Sequence, residues 1–263
     1  MAPIINGDPA EPLRQLVGWF FRLTARSRHG VCEEAVDTRP PAHSDKPLIV
    51  MIHGFQGAPS EFCTLHAALY RTLGDHFDFA LIDNLDPGMG LSPDENCLRL
   101  DEYLTAHSLK GRELYLIGHS MGGLIARRYP HLAPEVTVKA MVLIATPNGG
   151  VNSWNLLPIH WLRSNGFHAR INSLCPASAQ IQYLLIGGTK GMNLLEGQLN
   201  DGVVGLWSVM RFAECNTAGA EVKVTTYPND HWSLLRNKQV AQDIAAFLQE
   251  VYRANLVVQS AQE

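Results

Sequence analysis

Short, continuous apolar runs alternate with longer segments of helical periodicity over most of the chain. A short apolar run of this kind is typical of a strand that is buried on both faces of a parallel sheet. Strands are therefore predicted at residues 48–52, 79–82, 114–117, 138–145, 181–186 and 222–227. The alternation with helices indicates an α/β fold, with a mostly parallel central sheet and helices on both faces.

Polar and helix-breaking residues mark the ends of the intervening helices. Ser60 is the expected cap of the first helix and Gly74 its expected end. A later helix should end near Pro130, because proline disfavours helical geometry at the residue before it. The predicted helices cover residues 60–74, 94–107, 121–130 and 237–252.

The N-terminal segment, residues 1–46, stands outside this alternation. Residues 37–47 are rich in proline and polar side chains and are expected to form a loop. Upstream, apolar residues at helical spacing predict an amphipathic helix packed against the domain, with Leu13, Leu16, Val17 and Phe20 on one face. Arginines lie on its other faces, so contact of residues 13–26 with a lipid surface is the alternative.

A second segment, residues 149–175, leaves the alternation after the fourth predicted strand. Ligand sites in open parallel sheets lie beyond the carboxyl ends of the strands. We therefore expect a cap or lid that forms an apolar pocket, and an ordinary helix packed on the domain is the alternative. The segment is rich in apolar residues, namely Trp154, Leu156, Leu157, Pro158, Ile159, Trp161, Leu162 and Phe167.

Composition limits the classes of protein that this chain can represent. With 263 residues, of which 46% are hydrophobic, the chain suits a single domain over residues 1–263. The 21 Lys and Arg nearly balance the 25 Asp and Glu, so the charge offers no attraction for nucleic acid. No stretch approaches the roughly 18 apolar residues that a membrane span needs. No signal-peptide cleavage pattern follows the early apolar segment.

The five cysteines are odd in number, and no two have the C-x-x-C spacing of a metal site. This pattern indicates mostly free thiols in a reducing compartment and favours a cytoplasmic location. One disulfide with spare thiols is the alternative. The chain also lacks an H-E-x-x-H motif, so neither a metal nor a cofactor is predicted.

Residues 118–122 form a G-x-S-x-G motif between a predicted strand and a predicted helix. In this context the chain reverses sharply at Ser120, which strains its backbone and lifts its hydroxyl clear of the sheet. We expect Gly118 and Gly122 to press against each other, where only a very small residue fits. The first N–H groups of the helix favour a negative charge beside Ser120. Ser120 is therefore the predicted nucleophile, and a glycine-rich turn with an incidental serine is the alternative.

The motif and several other segments resemble the lipases and esterases of the α/β-hydrolase superfamily. Residues 47–252 can be laid on the fold of that family in order. The resemblance implies an α/β-hydrolase fold and acyl transfer through a triad of Ser, His and Asp. The matching segments are an oxyanion loop at 53–55, a D-x-P-G-x-G-x-S segment with an insertion at 83–92, the elbow at 118–123 and a T-P-x-x-G turn at 145–150.

The family order of triad residues, with the acid after the serine and the histidine last, places the base after Ser120. His231 follows the last predicted strand directly, which is the position that the family uses. The resemblance therefore implies that His231 is the base, and a surface loop histidine is the alternative. Three other histidines after Ser120 fit less well, because His131 ends the elbow helix and His160 and His168 lie in the insertion.

The acid should lie between the nucleophile and the base. Asp201 belongs to the segment Asn-Asp-Gly-Val-Val, which resembles the form that the acid takes in many bacterial lipases. Asp230 competes with it, but the side chains of neighbouring residues usually point apart. We therefore expect Asp230 to be a turn residue or a helix cap. Glu196 is a further alternative for the acid.

Two backbone N–H groups, those of Phe55 and Met121, complete the predicted site as oxyanion donors. His53 is expected to be a structural loop residue. The leading interpretation is an esterase or lipase that acts on a small-molecule carboxylic ester with an apolar acyl group. A thioesterase or amidase on the same triad, or a non-catalytic ligand-binding protein of this fold, is the alternative.

Overall fold

The computed structural model of the protein describes residues 40–41, 43–55, 57–85, 92–151, 172–191, 199–216 and 218–260. The predicted helix at 13–26 and most of the segment 149–175 lie outside these ranges, as does Glu196. His160 and His168 lie outside them as well.

A single six-stranded sheet forms the centre of the described structure. All neighbouring strands are parallel, in the order β2-β1-β3-β4-β5-β6. The predicted alternation and the parallel sheet are thus confirmed, and each strand lies within about two residues of its predicted range. The strands are β1 Leu48–Ile52, β2 Asp78–Leu81, β3 Glu113–His119, β4 Thr137–Ile144, β5 Gln182–Gly188 and β6 Val222–Tyr227.

Helices cover both faces of the sheet. Alternate residues of β1 point to opposite cores: Val50 packs with Ile125 on one side, and Met51 packs with Leu69 on the other. The first core is closed by α2, α3 and α4, and the second by α1 and α5. The helices are α1 Cys63–Leu73, α2 Pro93–Ala106, α3 Met121–Leu132, α4 Leu206–Glu214 and α5 Lys238–Ser260.

Several helix ends differ from their predicted positions. The Ser60 prediction is wrong, because a 3-10 turn capped by Ala58 spans Pro59–Phe62 and α1 begins only at Cys63. Gly74 does end α1, as predicted. The capping box of α2 is formed by Ser92, whose hydroxyl accepts from the N–H of Glu95 at 3.3 Å while the Glu95 carboxylate accepts from the Ser92 N–H.

Tertiary contacts extend two helices beyond their predicted ends. Helix α3 continues past Pro130 to Leu132. Tyr129 is fully buried and donates its hydroxyl to Asp101 at 2.9 Å, so packing outweighs the loss of one backbone donor at the proline. Helix α5 continues past Tyr252 to Ser260, where Asn255 donates to the Tyr115 hydroxyl at 3.2 Å.

The described cysteines change one expectation. Cys97, Cys175 and Cys215 are free thiols, whereas Cys63 is disulfide-bonded. Because disulfides persist mainly in oxidising compartments, the cysteines no longer favour a cytoplasmic location. Among the described helices, none combines the length and apolar character needed to cross a membrane.

Candidate active site

The predicted site residues come from loops at one edge of the sheet. Phe55 follows β1, Ser120 follows β3, Asp201 follows β5 and His231 follows β6. The carboxyl ends of parallel strands share an edge, so the fold brings these separate segments to the same end of the molecule.

Ser120 occupies a strained turn between β3 and α3. Its φ of 54° and ψ of −122° lie outside the regions that residues with side chains normally adopt. The Ser120 N–H donates to the carbonyl of Ile144 at 2.8 Å, and its carbonyl accepts from the Gly123 N–H at 3.1 Å. Neighbouring backbone therefore holds the strained conformation that the motif predicts.

Two glycines of the motif around Ser120 permit two different close approaches. A Cβ on Gly118 would lie 2.5 Å from the carbonyl oxygen of Gly122, as the predicted contact between these two residues requires. A Cβ on Gly122 would overlap the carbonyl oxygen of Ile52 at the end of β1. The small residues thus pack the elbow against the adjacent strand as well as against itself.

The loop after β1 lies directly against Ser120. A Cβ on Gly54 would be 2.9 Å from the Cβ of Ser120. Phe55 follows Gly54, and its side chain packs against the core formed by α2, α3 and α4. Met121 is the first residue of α3. Gly54 and Ser120 therefore lie against each other. The two predicted oxyanion donors, Phe55 and Met121, are the residues that directly follow them.

Asp201 and His231 are joined twice. The Nδ1 of His231 lies 2.7 Å from the Oδ2 of Asp201, and the His231 N–H donates to the Asp201 carbonyl at 3.0 Å. His231 is 3% exposed and Asp201 is 1% exposed. A buried carboxylate at this distance fixes Nδ1 as the protonated nitrogen of a neutral imidazole.

A tight turn prepares the Asp201 carboxylate to accept. Its Oδ1 accepts from the N–H groups of Val203 at 2.9 Å and Val204 at 2.6 Å. Gly202 makes this turn possible with a φ of 93°. Burial alone would raise the pKa of Asp201, but His231 and these two backbone donors outweigh it and hold the pKa below its ordinary value.

The family model of the alpha/beta hydrolase fold matches residues 47–167, which include β1, the elbow and β4. Over these residues the chain matches the α/β-hydrolase superfamily, and it has the alpha/beta hydrolase fold. It is similar in fold to the lipase BlEst2 of Bacillus licheniformis, with a TM-score of 0.59 and 18% identity, over 83% of this chain and 96% of the lipase in its mature form. It is also similar to Est1E of Butyrivibrio proteoclasticus, with a TM-score of 0.57 and 17% identity, over 82% of this chain and 93% of Est1E.

One curated relative that this chain matches is protein phosphatase methylesterase 1 of Debaryomyces hansenii. The two are 26% identical over an alignment of 120 residues, and the match covers 40% of this chain and 30% of the relative. The chain thus matches less than a third of the length of that protein.

The residues that compete with Asp201 and His231 for the roles of acid and base have other partners or positions. Asp230 accepts from the N–H groups of Trp232 at 3.1 Å and Ser233 at 3.0 Å, so its predicted place in a turn is confirmed. His131 is exposed in the last turn of α3, and Ser120 directly precedes the first turn of that helix. Across the described ranges, no group of three or more His, Cys, Asp or Glu is arranged to hold a metal ion.

Two buried polar residues beside the elbow were missed by the sequence analysis. The Nδ1 of His119 lies 3.1 Å from the Oε1 of Glu61, and these side chains are 2% and 3% exposed. His53 is also buried, and its Nδ1 lies 3.0 Å from the carbonyl oxygen of Gly54. One signal is present in the sequence: His119 is a polar residue directly after the apolar run 114–117 of a buried strand, and it therefore needs a polar partner.

Proposed function

We propose that this chain is a serine hydrolase that cleaves carboxylic esters through an acyl-enzyme on Ser120. The observation that carries the proposal is the buried contact of 2.7 Å between His231 Nδ1 and Asp201 Oδ2, at the same sheet edge as the strained Ser120 turn. A buried carboxylate that fixes a histidine beside a serine is the arrangement that activates such nucleophiles.

His231 is the general base in this mechanism. Because its Nδ1 hydrogen is directed to Asp201, its Nε2 has the lone pair that takes the proton of Ser120. The Ser120 oxygen then attacks the acyl carbonyl, and the Asp201 carboxylate stabilises the imidazolium that forms. His231 returns the proton to the departing alkoxide, and water hydrolyses the acyl-serine by the same steps.

The oxyanion of each tetrahedral intermediate is stabilised by the N–H groups of Phe55 and Met121. Removal of one such donor costs about 3 kcal/mol of transition-state stabilisation in enzymes of this kind. The position of Met121 at the start of α3 adds the favourable end of the helix dipole. Negative charge is therefore favoured beside Ser120, at the N-terminus of α3.

The choice of a carboxylic ester rests on the relatives and on the apolar segment after β4. The similar proteins include a lipase and a methylesterase by name. Between Gly149 and Cys175 the chain supplies many apolar side chains, which suit an aliphatic acyl group better than a charged or sugar substrate. A thioester or an amide would use the same acyl-enzyme, so a direct comparison of substrates tests the choice.

The test is a series of p-nitrophenyl esters of increasing acyl length, measured beside the matching acyl thioesters and anilides. We expect kcat/KM to be highest for an ester, and Ser120→Ala to abolish the activity while its thermal unfolding stays like that of the wild type. Ser60→Ala is the matched control, because this exposed serine lies in the 3-10 turn before α1 and should leave activity unchanged. Higher kcat/KM on thioesters would reassign the substrate class, and an active Ser120→Ala protein would contradict the mechanism.

A further inference from the structure

A buried Glu–His pair joins three segments of the proposed site. Glu61 Oε1 accepts from the Gly54 N–H at 3.0 Å and lies 3.1 Å from His119 Nδ1. The other ring nitrogen of His119, Nε2, lies 3.0 Å from the carbonyl oxygen of His231. The pair therefore links three parts of the site: the loop before Phe55, the position directly before Ser120, which is His119 itself, and the backbone of the proposed base.

The partners of His119 fix where its hydrogens lie. A carbonyl oxygen can only accept, so His119 Nε2 must carry a hydrogen toward His231. The Nδ1 of His119 faces a carboxylate oxygen that already accepts from the Gly54 N–H. An imidazolium satisfies both contacts at once, with one hydrogen directed to Glu61 and the other to His231.

Electrostatics favour the charged form of this pair. Burial alone would lower the pKa of His119, but the charge of Glu61 and the hydrogen bond to it raise that pKa, with smaller help from the His231 carbonyl and Asp201. Burial alone would raise the pKa of Glu61, but His119 lowers it, assisted by His53 and the Gly54 N–H. Within the described ranges, the titratable groups around His119 are Glu61, His53, Asp201 and His231.

We propose that Glu61 and His119 are positioning residues for the ester hydrolysis: Glu61 fixes the oxyanion loop through the Gly54 N–H, and His119 fixes the backbone of His231 through its carbonyl. Neither residue exchanges a proton with the substrate. The inference rests on the proposed function, because it assigns these two segments their catalytic roles. The Glu61–His119 pair is a single buried unit that sets the positions of the oxyanion loop and of His231 relative to Ser120.

The geometry makes the two contacts of His119 separable. In His119→Gln the amide nitrogen can replace Nε2 and still donate toward the His231 carbonyl, whereas in His119→Asn it can replace only Nδ1. Glu61→Gln keeps an oxygen for the Gly54 N–H but removes the charge that holds His119.

The experiment measures kcat and KM of these variants on the best ester substrate of the wild type. We expect kcat to fall by about 10- to 100-fold in Glu61→Gln and His119→Asn, because small displacements of reacting groups cost rates of this order. KM should change far less, and His119→Gln should recover part of the loss. Asp78→Asn is the matched control, since it breaks a largely buried ion pair with Arg112 at the start of β2, away from the site.

A second measurement tests the pair without activity. Long-range ¹H–¹⁵N NMR of the histidine rings should show His119 as an imidazolium at a pH where ordinary histidines are neutral, with its ring signals assigned in the wild type through their scalar connection to the His119 backbone. A His119 that titrates at or below the ordinary pKa of histidine would overturn the proposal, even if the variants did not fold.

The two proposals fail in different ways. The proposed function itself would be contradicted if the wild type hydrolysed no ester and bound no serine-directed probe. Only the positioning role would be contradicted if the wild type were active and its Glu61→Gln and His119→Asn variants matched Asp78→Asn in kcat. An equal loss in His119→Asn and His119→Gln would overturn the part assigned to the His231 carbonyl.

Discussion

Two buried carboxylate–histidine pairs lie close together at the proposed site, and they differ in what the second ring nitrogen contacts. In the Asp201–His231 pair, Nδ1 faces the carboxylate at 2.7 Å, and the mechanism assigns Nε2 to the proton of Ser120. In the Glu61–His119 pair, the carboxylate lies at 3.1 Å and Nε2 is held by the His231 carbonyl. A histidine whose two nitrogens both face acceptors is fixed in one protonation state, so contact with a carboxylate does not by itself identify a base.

The carboxylates of the two pairs also differ in their surroundings. Asp201 accepts from two backbone N–H groups of its own turn, so its position does not depend on His231 alone. Glu61 instead accepts from the Gly54 N–H of a separate loop. The first carboxylate is prepared by local sequence, and the second ties two distant segments together.

The largest expected effect that separates the pairs is on Asp201. Asp201→Asn should lower kcat by about 10⁴-fold, because the amide favours the wrong tautomer of the base while the fold is retained. Asp230→Asn is the control, since an asparagine oxygen can still accept from Trp232 and Ser233 and activity should change little. If kcat fell severely in Asp230→Asn and stayed nearly normal in Asp201→Asn, the assignment of the acid would be wrong.

A smaller effect, on stability, tests whether Glu61 and His119 form an ion pair. The lowered pKa of Glu61 stabilises the fold above about pH 4.3, the ordinary value for glutamate, and this contribution is lost as pH falls through the folded value. The raised pKa of His119 stabilises the fold below about pH 6.5, and this contribution is lost as pH rises through the folded value. The stability difference between wild type and Glu61→Gln should therefore be largest between those two values.

Denaturant unfolding over a pH series measures this difference, which we expect to reach roughly 1–3 kcal/mol for a buried charged hydrogen bond. The control Asp78→Asn removes the carboxylate that pairs with Arg112. Because guanidinium groups do not lose their proton in proteins, the loss of stability in this variant should not decline as pH rises above neutrality. A difference for Glu61→Gln that stays constant from acid to alkaline pH would contradict the ion pair.

The contrast between the pairs also explains what the sequence could predict. The strands were located because each one is a short run of buried apolar residues, and Ser120 because its motif lies between a strand and a helix. Asp201 and His231 are 30 positions apart, yet each lies in a local segment with a recognisable form. The nucleophile is predicted from its local motif, whereas the acid and the base are implied by the resemblance of their segments to the α/β-hydrolase lipases and by that family's order of triad residues.

The Glu61–His119 contact joins residues 58 positions apart, and neither segment contains a sequence pattern that predicts a contact with the other. Glu61 was assigned to a helix that begins two residues later than it, and His119 occupied the variable position of the motif. The ends of α3 and α5 were missed for a related reason, since they depend on contacts of Tyr129 and Asn255 with other elements. Local periodicity predicts elements well, but it does not predict the polar contacts between them.

The claim that Ser120 is an activated nucleophile has one direct test, which is reaction with a fluorophosphonate followed by peptide mass spectrometry. The account predicts a single adduct on the peptide that contains Ser120, no adduct in Ser120→Ala, and much slower reaction in Asp201→Asn. An adduct on another serine, or equal labelling of the Ser120→Ala protein, would contradict it.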